Sequence, residues 1–393
     1  MKKSFTTAGL LFTAFTLYSA DIYVSPAGDD RNSGEQGAPK ATLTSALRQA
    51  REMRRQSLPG VESGVTIHMA PGDYCVYEPV FVRPEDSGTP EAPTVITSDG
   101  VAWLNGGVRI DGWKRQGKLL VADVPAFNGR PLDFRQLYVN GKKAVRARDV
   151  QDFEKMHRII SNDPVNEILW VPAEAVKGIL KSPYAEMVLH EMWCVANLRI
   201  KSIEIHGDSA AVRFHNPESR IQFEHPWPRP MVTTDGHNSA FYLTNAKELL
   251  DTPGEWYHDI STRKLYYYPY PGETVTDAVV PAVETLLNVE GTLDRPVENV
   301  RFENIGFEYT TWMRPSLMGH VPLQAGMYMT DGYRISPKME RYQNHKLDNQ
   351  GWLGRPESAV TVSGSKDVDF TGCRFEHLGS SGLDYKWGTQ GGL

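Results

Sequence analysis

Residues 286–307 read LLNVEGTLDRPVENVRFENIGF, and residues 359–375 read AVTVSGSKDVDFTGCRF. Aligned, Val300, Phe302, Ile305 and Phe307 fall opposite Val368, Phe370, Cys373 and Phe375, and each set follows a short apolar run, Leu286 to Val289 and Ala359 to Val362. The shared pattern V-x-F-x-x-[I/C]-x-F is two inward residues at period two, a polar corner, then two more. With its leading strand the unit takes about 22 residues, the size of one solenoid coil. Helical repeats need longer runs at period 3.6, so short alternating strands with Asn and Gly corners point to a parallel β-helix.

The chain of 393 residues, 40% of them hydrophobic, is long enough for such a solenoid plus an inserted domain. Its formal net charge of -6 and the lack of a long basic run exclude a nucleic-acid footprint. At the start, Lys2 and Lys3 precede an apolar stretch from Ala8 to Leu17 and a small residue, Ala20. This is the grammar of a secretory signal peptide over residues 1–20, and the apolar stretch is shorter than the roughly 20 residues a bilayer span needs. A secreted or periplasmic protein with no membrane span after signal removal is expected. Cys75, Cys194 and Cys373 are an odd, scattered set, so no disulfide framework is implied.

Along the chain, Ile22 to Val24 reads as a strand. Leu43, Ala46, Leu47, Ala50 and Met53 then line one face of a helix with Thr42 as N-cap, suited to capping an open solenoid end. Arg48, Arg51, Arg54 and Arg55 read as its solvated face. Short strands separated by PGD, EDSGT and NGG corners continue to residue 112. Between residues 113 and 282 the texture changes to hairpins, most clearly at Asn140-Gly141, and predicts an inserted antiparallel β domain of sandwich type. The coils resume over residues 283–393, interrupted by a long loop insertion at 309–357. The predicted fold class is therefore all-β: a right-handed parallel β-helix with an N-terminal capping helix and an inserted antiparallel β domain. Leu383 to Trp387 begins another coil with no cap after it, which creates the expectation of further coils past Leu393.

These segments also carry a family resemblance. DIYVSPAGDD and the PKATLTSALRQARE helix are similar to the entry of right-handed β-helix proteins of the pectate-lyase-like superfamily. RPEDSGT, LNGGVRIDGW, RQLYVNGKKAVRAR, EWYHDISTRKLYYYP, TTWMRPS and GWLGRP, in that order, resemble glycoside hydrolase family 141. The resemblance implies an exported glycoside hydrolase, of α-L-fucosidase or xylanase type, acting on plant cell-wall polysaccharide without a cofactor. Members of that family continue for many more coils, where catalytic carboxylates can also lie.

Glycoside hydrolysis needs two carboxyl groups flanking the scissile bond, about 5 to 5.5 Å apart for retention and roughly 6.5 to 9.5 Å for inversion. On stacked coils they come from outward positions of neighbouring strands. Asp384 follows the inward Leu383 and is flanked by Tyr385 and Trp387, while Glu376 and His377 follow the inward Phe375. Asp384, Glu376 and His377 are the catalytic candidates, with a solvated strand carboxylate as the plainer reading of each. Glu303 and Glu308 read as ordinary solvent-facing residues. Trp312, His320, Gln324 and Trp352 in the loop insertion, with Tyr385 and Trp387, are the substrate-binding candidates; the plainer reading is that Trp312 and Trp352 pin the loop. His190-Glu191-Met192-Trp193 lacks the second histidine of a zinc helix, so no metal site is expected there. The alternatives are a polysaccharide lyase on the same fold, which needs a basic residue beside an acidic cluster, and an inactive or carbohydrate-binding fragment.

Overall fold

Alternation at period two sets the architecture. In Val65–Met69 the valine, isoleucine and methionine are buried and the intervening Thr66 and His68 are half-buried, as in a strand with one face on a core. The computed structural model describes residues 19–225, 228–332 and 352–392. The signal-peptide reading falls almost wholly outside them, although Ala20 is the first residue of the strand Ala20–Val24.

The protein is all-β in character, with two parallel sheets sharing one core. The first runs Ala20–Val24, Val65–Met69, Thr94–Asn105, Val297–Glu308, Ser365–Thr371 and Thr389–Gln390, with Gly72–Cys75 and Arg374–Glu376 paired at its side. The second runs Val80–Val82, Leu287–Glu290, Ser358–Ser363 and Ser381–Tyr385. Every pairing in both is parallel. Thr94–Asn105 pairs directly with Val297–Glu308, so the residues between them lie outside the ladder. The two copies of the repeat stack in register, Val300 on Val368, Phe302 on Phe370 and Phe307 on Phe375.

The helix Leu43–Arg55 begins where Thr42 accepts a hydrogen bond from the Ser45 amide, and it buries Leu43, Ala46, Leu47 and Ala50 in the same core. Two of its arginines are not a solvated face. Arg51 forms a bidentate pair with the fully buried Asp86, and Arg54 reaches Thr94 at 2.5 Å. A buried carboxylate needs such a partner, and the helix supplies it. No helix among the described residues is long and apolar enough to cross a membrane.

Among the described residues between Gly107 and Pro281 lie four further sheets, of two, four, five and seven strands. Their pairings are antiparallel except that Val145–Arg146 runs parallel to Glu255–Asp259. At Asn140-Gly141 both residues take positive φ, 50° and 74°, the geometry a two-residue hairpin between Tyr138–Val139 and Lys142–Lys143 requires. In place of one sandwich core there are two. One is built on Phe134, Trp256 and Tyr267, the other on Met187, Leu198 and Phe241. A buried ion triad joins them: Arg135, beside Phe134, and Arg146, over the Trp256 ring, both hold Glu186, which opens the strand Glu186–His190.

Candidate active site

The inward residues of the second parallel sheet are Val80, Val82, Val289, Val360 and Val362, with Leu383 and Tyr385 packed beside them. The alternate residues therefore face outward, and the register sets Phe81, Asn288, Thr361 and Asp384 in one column. Thr361 donates its hydroxyl to Asn288 across this column. An open cleft of about 800 Å³ lies on that face. Its wall includes Phe81, Asn288 and Thr361 of the column, the aromatic Tyr77 and Trp387, four glutamates (Glu78, Glu284, Glu290, Glu357) and one cation, Lys386.

Glu284 and Glu357 are a structural pair. Each stands three residues before a register partner, Leu287 and Val360, in successive strands, so they are equivalent positions of the duplicated coil. Burial pushes the Glu284 carboxyl above the usual range. The hydrogen bond it accepts from the Met313 amide at 2.7 Å works against this, and the charge of Glu357 adds to the rise. Neither glutamate is among the sequence candidates, because each precedes the apolar run by which the repeat is recognised. Extending the alignment upstream, E-T-L-L-N-V over E-S-A-V-T-V, would have found both.

Asp384 is the next outward position after Thr361. Its side chain is 14% exposed and pairs with Arg355 at 2.8 Å, so it is a held carboxylate and not a freely solvated one. The alternation that turns Asp384 outward turns Tyr385 inward. Tyr385 meets Phe370 edge-on and donates its hydroxyl to the Val368 carbonyl, which removes it from the substrate-binding candidates. Trp387, 60% exposed, stays at the cleft.

Glu376 and His377 lie elsewhere. Glu376 is in register with Glu308 on the first parallel sheet. His377 takes a positive φ of 54°, stacks on Tyr309 at 4.8 Å and meets Tyr138 edge-on at 4.6 Å. Its Nδ1 is 3.8 Å from Glu308, and its Nε2 is 3.3 Å from the Gly141 carbonyl oxygen. Glu308 is not solvent-facing. It accepts a 2.7 Å hydrogen bond from Asn105, and burial pushes it up to about 7, with the charges of Asp73 and Glu376 adding. Neither these residues nor Asp384 line the acid-rich cleft, and the catalytic candidates are divided, Asp384 on the second parallel sheet and Glu376 on the first, with His377 next to it.

A second cleft, about 470 Å³, brings together Trp312, His320 and Gln324 from the loop insertion with Trp193 and with Ser380 and Ser381. It adjoins the first: Thr311 and Glu357 line one, while their chain neighbours Trp312 and Pro356 line the other. Gly379 presses on Thr311 so closely that a Cβ there would sit 2.4 Å from the Thr311 carbonyl carbon. That contact brings the neighbouring Ser380 to the Glu357 carbonyl at 2.8 Å. Trp352 lines neither cleft; its carbonyl accepts from the Thr330 amide and hydroxyl, which ties down the loop. Among the described residues no three His, Cys, Asp or Glu side chains are grouped as metal ligands would be.

Paired carboxylates and aromatic walls on an all-β scaffold make a site of the kind that carbohydrate needs, and comparisons with known proteins bear on it. A family model described as the GH141 insertion domain matches residues 117–270. A solved structure named "Glycoside hydrolase" is 67% identical and superposes with a TM-score of 0.91, over 95% of this chain and 65% of that one. Residues 117–270 are thus similar to the insertion domain of glycoside hydrolase family 141, and the chain spans 65% of the length of the solved relative. A structure titled "The complex structure of XylC with xylose" aligns at a TM-score of 0.35 and 11% identity, over 90% of this chain and 40% of that one, too low to bear on fold or site. No curated protein matches.

Proposed function

We propose that the chain is an exported glycoside hydrolase that cleaves neutral plant cell-wall polysaccharide, of the α-L-fucosidase or xylanase kind, in the acid-rich cleft. In this reading the two parallel sheets are faces of a right-handed parallel β-helix, and residues 113–282 are a domain inserted between its coils. The observation that carries the proposal is the pair Glu284 and Glu357, equivalent outlets of adjacent coils facing one cleft. Adjacent strands lie about 4.8 Å apart, a spacing that suits paired carboxylates.

The environments assign the roles. Glu284, whose protonated form burial favours, is the general acid: it protonates the glycosidic oxygen as the bond from that oxygen to the anomeric carbon breaks. Glu357 is the carboxylate that meets the oxocarbenium-like carbon, or takes a proton from the water that adds to it. Asp384, held by Arg355 in the same outward column, is the alternative second carboxylate.

The test is release of reducing sugar from xylan and pectin fragments by the full chain and by Glu284→Gln, Glu357→Gln and Asp384→Asn. Loss of one general acid costs about 10² to 10⁴ in rate, so Glu284→Gln should fall by that much. Equal activity in wild type and Glu284→Gln would overturn the assignment. Whichever of Glu357→Gln and Asp384→Asn falls further is the second carboxylate.

A second reading has one observation in its favour. Lys386 stands among the four glutamates, as the base of a polysaccharide lyase would stand beside an acidic cluster. Unsaturated products absorbing in the ultraviolet would select it.

A further inference from the structure

The aromatic cleft is lined mainly by the loop insertion, and the region matched as the insertion domain adds Trp193, Cys194 and Val195 to its wall. Trp193 lies within residues 117–270, in the turn between the strands Glu186–His190 and Val195–His206. It is 50% exposed, unusual for a tryptophan, yet it is not loose: its indole N–H donates to the Leu323 carbonyl at 2.8 Å. Half-buried Glu191, pushed up to about 7 by desolvation, takes hydrogen bonds from Gln222 and Cys194 and so braces the turn from behind. The loop is strapped to the same sheet, because Asn197 and His320 exchange both backbone hydrogen bonds, at 2.9 and 2.8 Å. Trp312 meets His320 edge-on at 4.9 Å. Burial, with Arg314 and Arg135 nearby, pulls His320 down to about 4, so it is neutral at physiological pH.

Two features follow. An exposed, fixed indole offers a flat apolar face, which is how a sugar ring's C–H face is held. The polar part of the wall is Gln324, the two serines and a neutral imidazole, and among the described residues none that lines the cleft carries a charge at neutral pH. Such a wall can pair with hydroxyls but cannot compensate a carboxylate, and the adjoining cleft, with four glutamates against one lysine, would repel one.

We infer that this cleft is a distal subsite for a neutral sugar residue of an oligosaccharide, with Trp193 of the insertion domain as its platform. The inference rests on the reading of the acid-rich cleft as the hydrolytic centre. It makes Trp193 a specificity-determining residue: it favours long neutral chains over short ones and over uronates, and takes no part in bond cleavage.

The test is calorimetric binding to the full chain carrying Glu284→Gln, which prevents turnover, alone and combined with Trp193→Ala or Trp193→Phe. The probes are neutral disaccharides and hexasaccharides released from xylan and from neutral pectin side chains, with hexagalacturonate as the anionic control. Melting temperatures check that each variant folds. Trp193→Ala is expected to weaken hexasaccharide binding roughly tenfold or more with disaccharide binding unchanged, and Trp193→Phe, which keeps a ring but loses the Leu323 bond, to retain most of it. Unchanged hexasaccharide binding in Trp193→Ala, hexagalacturonate bound as tightly as the neutral chains, or no neutral binding at all would each overturn the subsite. If wild type and Glu284→Gln hydrolyse equally while Trp193→Ala still loses hexasaccharide binding, the catalytic assignment fails and the subsite stands. If hydrolysis depends on Glu284 and binding ignores Trp193, the reverse holds.

Discussion

Phe302 lies flat on Phe370, with ring centroids 4.8 Å apart and planes 6° from parallel. Phe307 and Phe375 repeat the arrangement at 5.1 Å and 19°. These stacks are the sequence duplication made physical, since identical inward positions of two copies can overlie only if the strands are parallel and in register.

Phe302 is fully buried, whereas Phe370 is only partly so. Truncating a buried phenylalanine costs about 3–5 kcal/mol through lost transfer energy and the cavity left behind. Phe302→Ala should therefore lose that much in chemical denaturation, and Phe370→Ala less. An equal or smaller loss for Phe302→Ala would show that the stack does not carry the ladder.

The repeat was legible because period-two alternation is local: Val300, Phe302, Ile305 and Phe307 announce their inward direction without reference to anything distant. The same rule, applied one residue further, would have turned Tyr385 inward at the sequence level. Glu284 and Glu357 were hidden in plain view, at equivalent positions just outside the apolar run used to recognise the coil. Glu308 was misread because the partner that holds its carboxyl, Asn105, lies 203 residues away in sequence. Trp193 had no local signal, since its meeting with Trp312 and Leu323 depends on how the inserted sheets fold back.

The buried triad makes a separate prediction. Burial alone would raise the Glu186 carboxyl, but the Arg135 and Arg146 guanidiniums overcome it and hold it at about 2. Burial pulls Arg146 down against the pull of Glu186, and the carboxylate facing two cations keeps the triad ionised. Glu186→Ala leaves two guanidiniums unpaired and should cost about 3–5 kcal/mol. The folded value lies below the ordinary 4.5, so this stabilisation is present above 4.5 and is lost as pH falls from there toward about 2. Denaturation midpoints measured across that window should fall in wild type and stay flatter in Glu186→Ala.

If Glu284 is the acid, activity carries its titration. Its carboxyl is raised by burial, so the alkaline limb of kcat/KM should lie above the ordinary carboxylate range, with activity lost as Glu284 deprotonates. Met313 donates its amide to Glu284 and so favours the charged form, and Glu357 opposes it. Glu357→Gln removes the opposing charge and should move the alkaline limb to lower pH in whatever activity remains. A limb that stays in place, or moves upward, would separate Glu284 from the titration.

Glu308 behaves in the opposite sense to Glu186. Its carboxyl is raised to about 7 by burial first and by the charges of Asp73, Glu376 and Asp277, against the hydrogen bond from Asn105. The same pocket holds His377, Tyr309 and Tyr138. A folded value above the ordinary 4.5 means that the protonated form is favoured by folding. Its contribution is complete below 4.5 and is lost as pH rises through about 7. Glu308→Gln keeps an oxygen for the Asn105 amide and never ionises, so it should match wild type at pH 4 and exceed it in stability at pH 8. Thermal melts at the two pH values decide it: a variant less stable than wild type at pH 8 would mean that the Glu308 carboxylate is held by a favourable contact with His377 strong enough to outweigh burial.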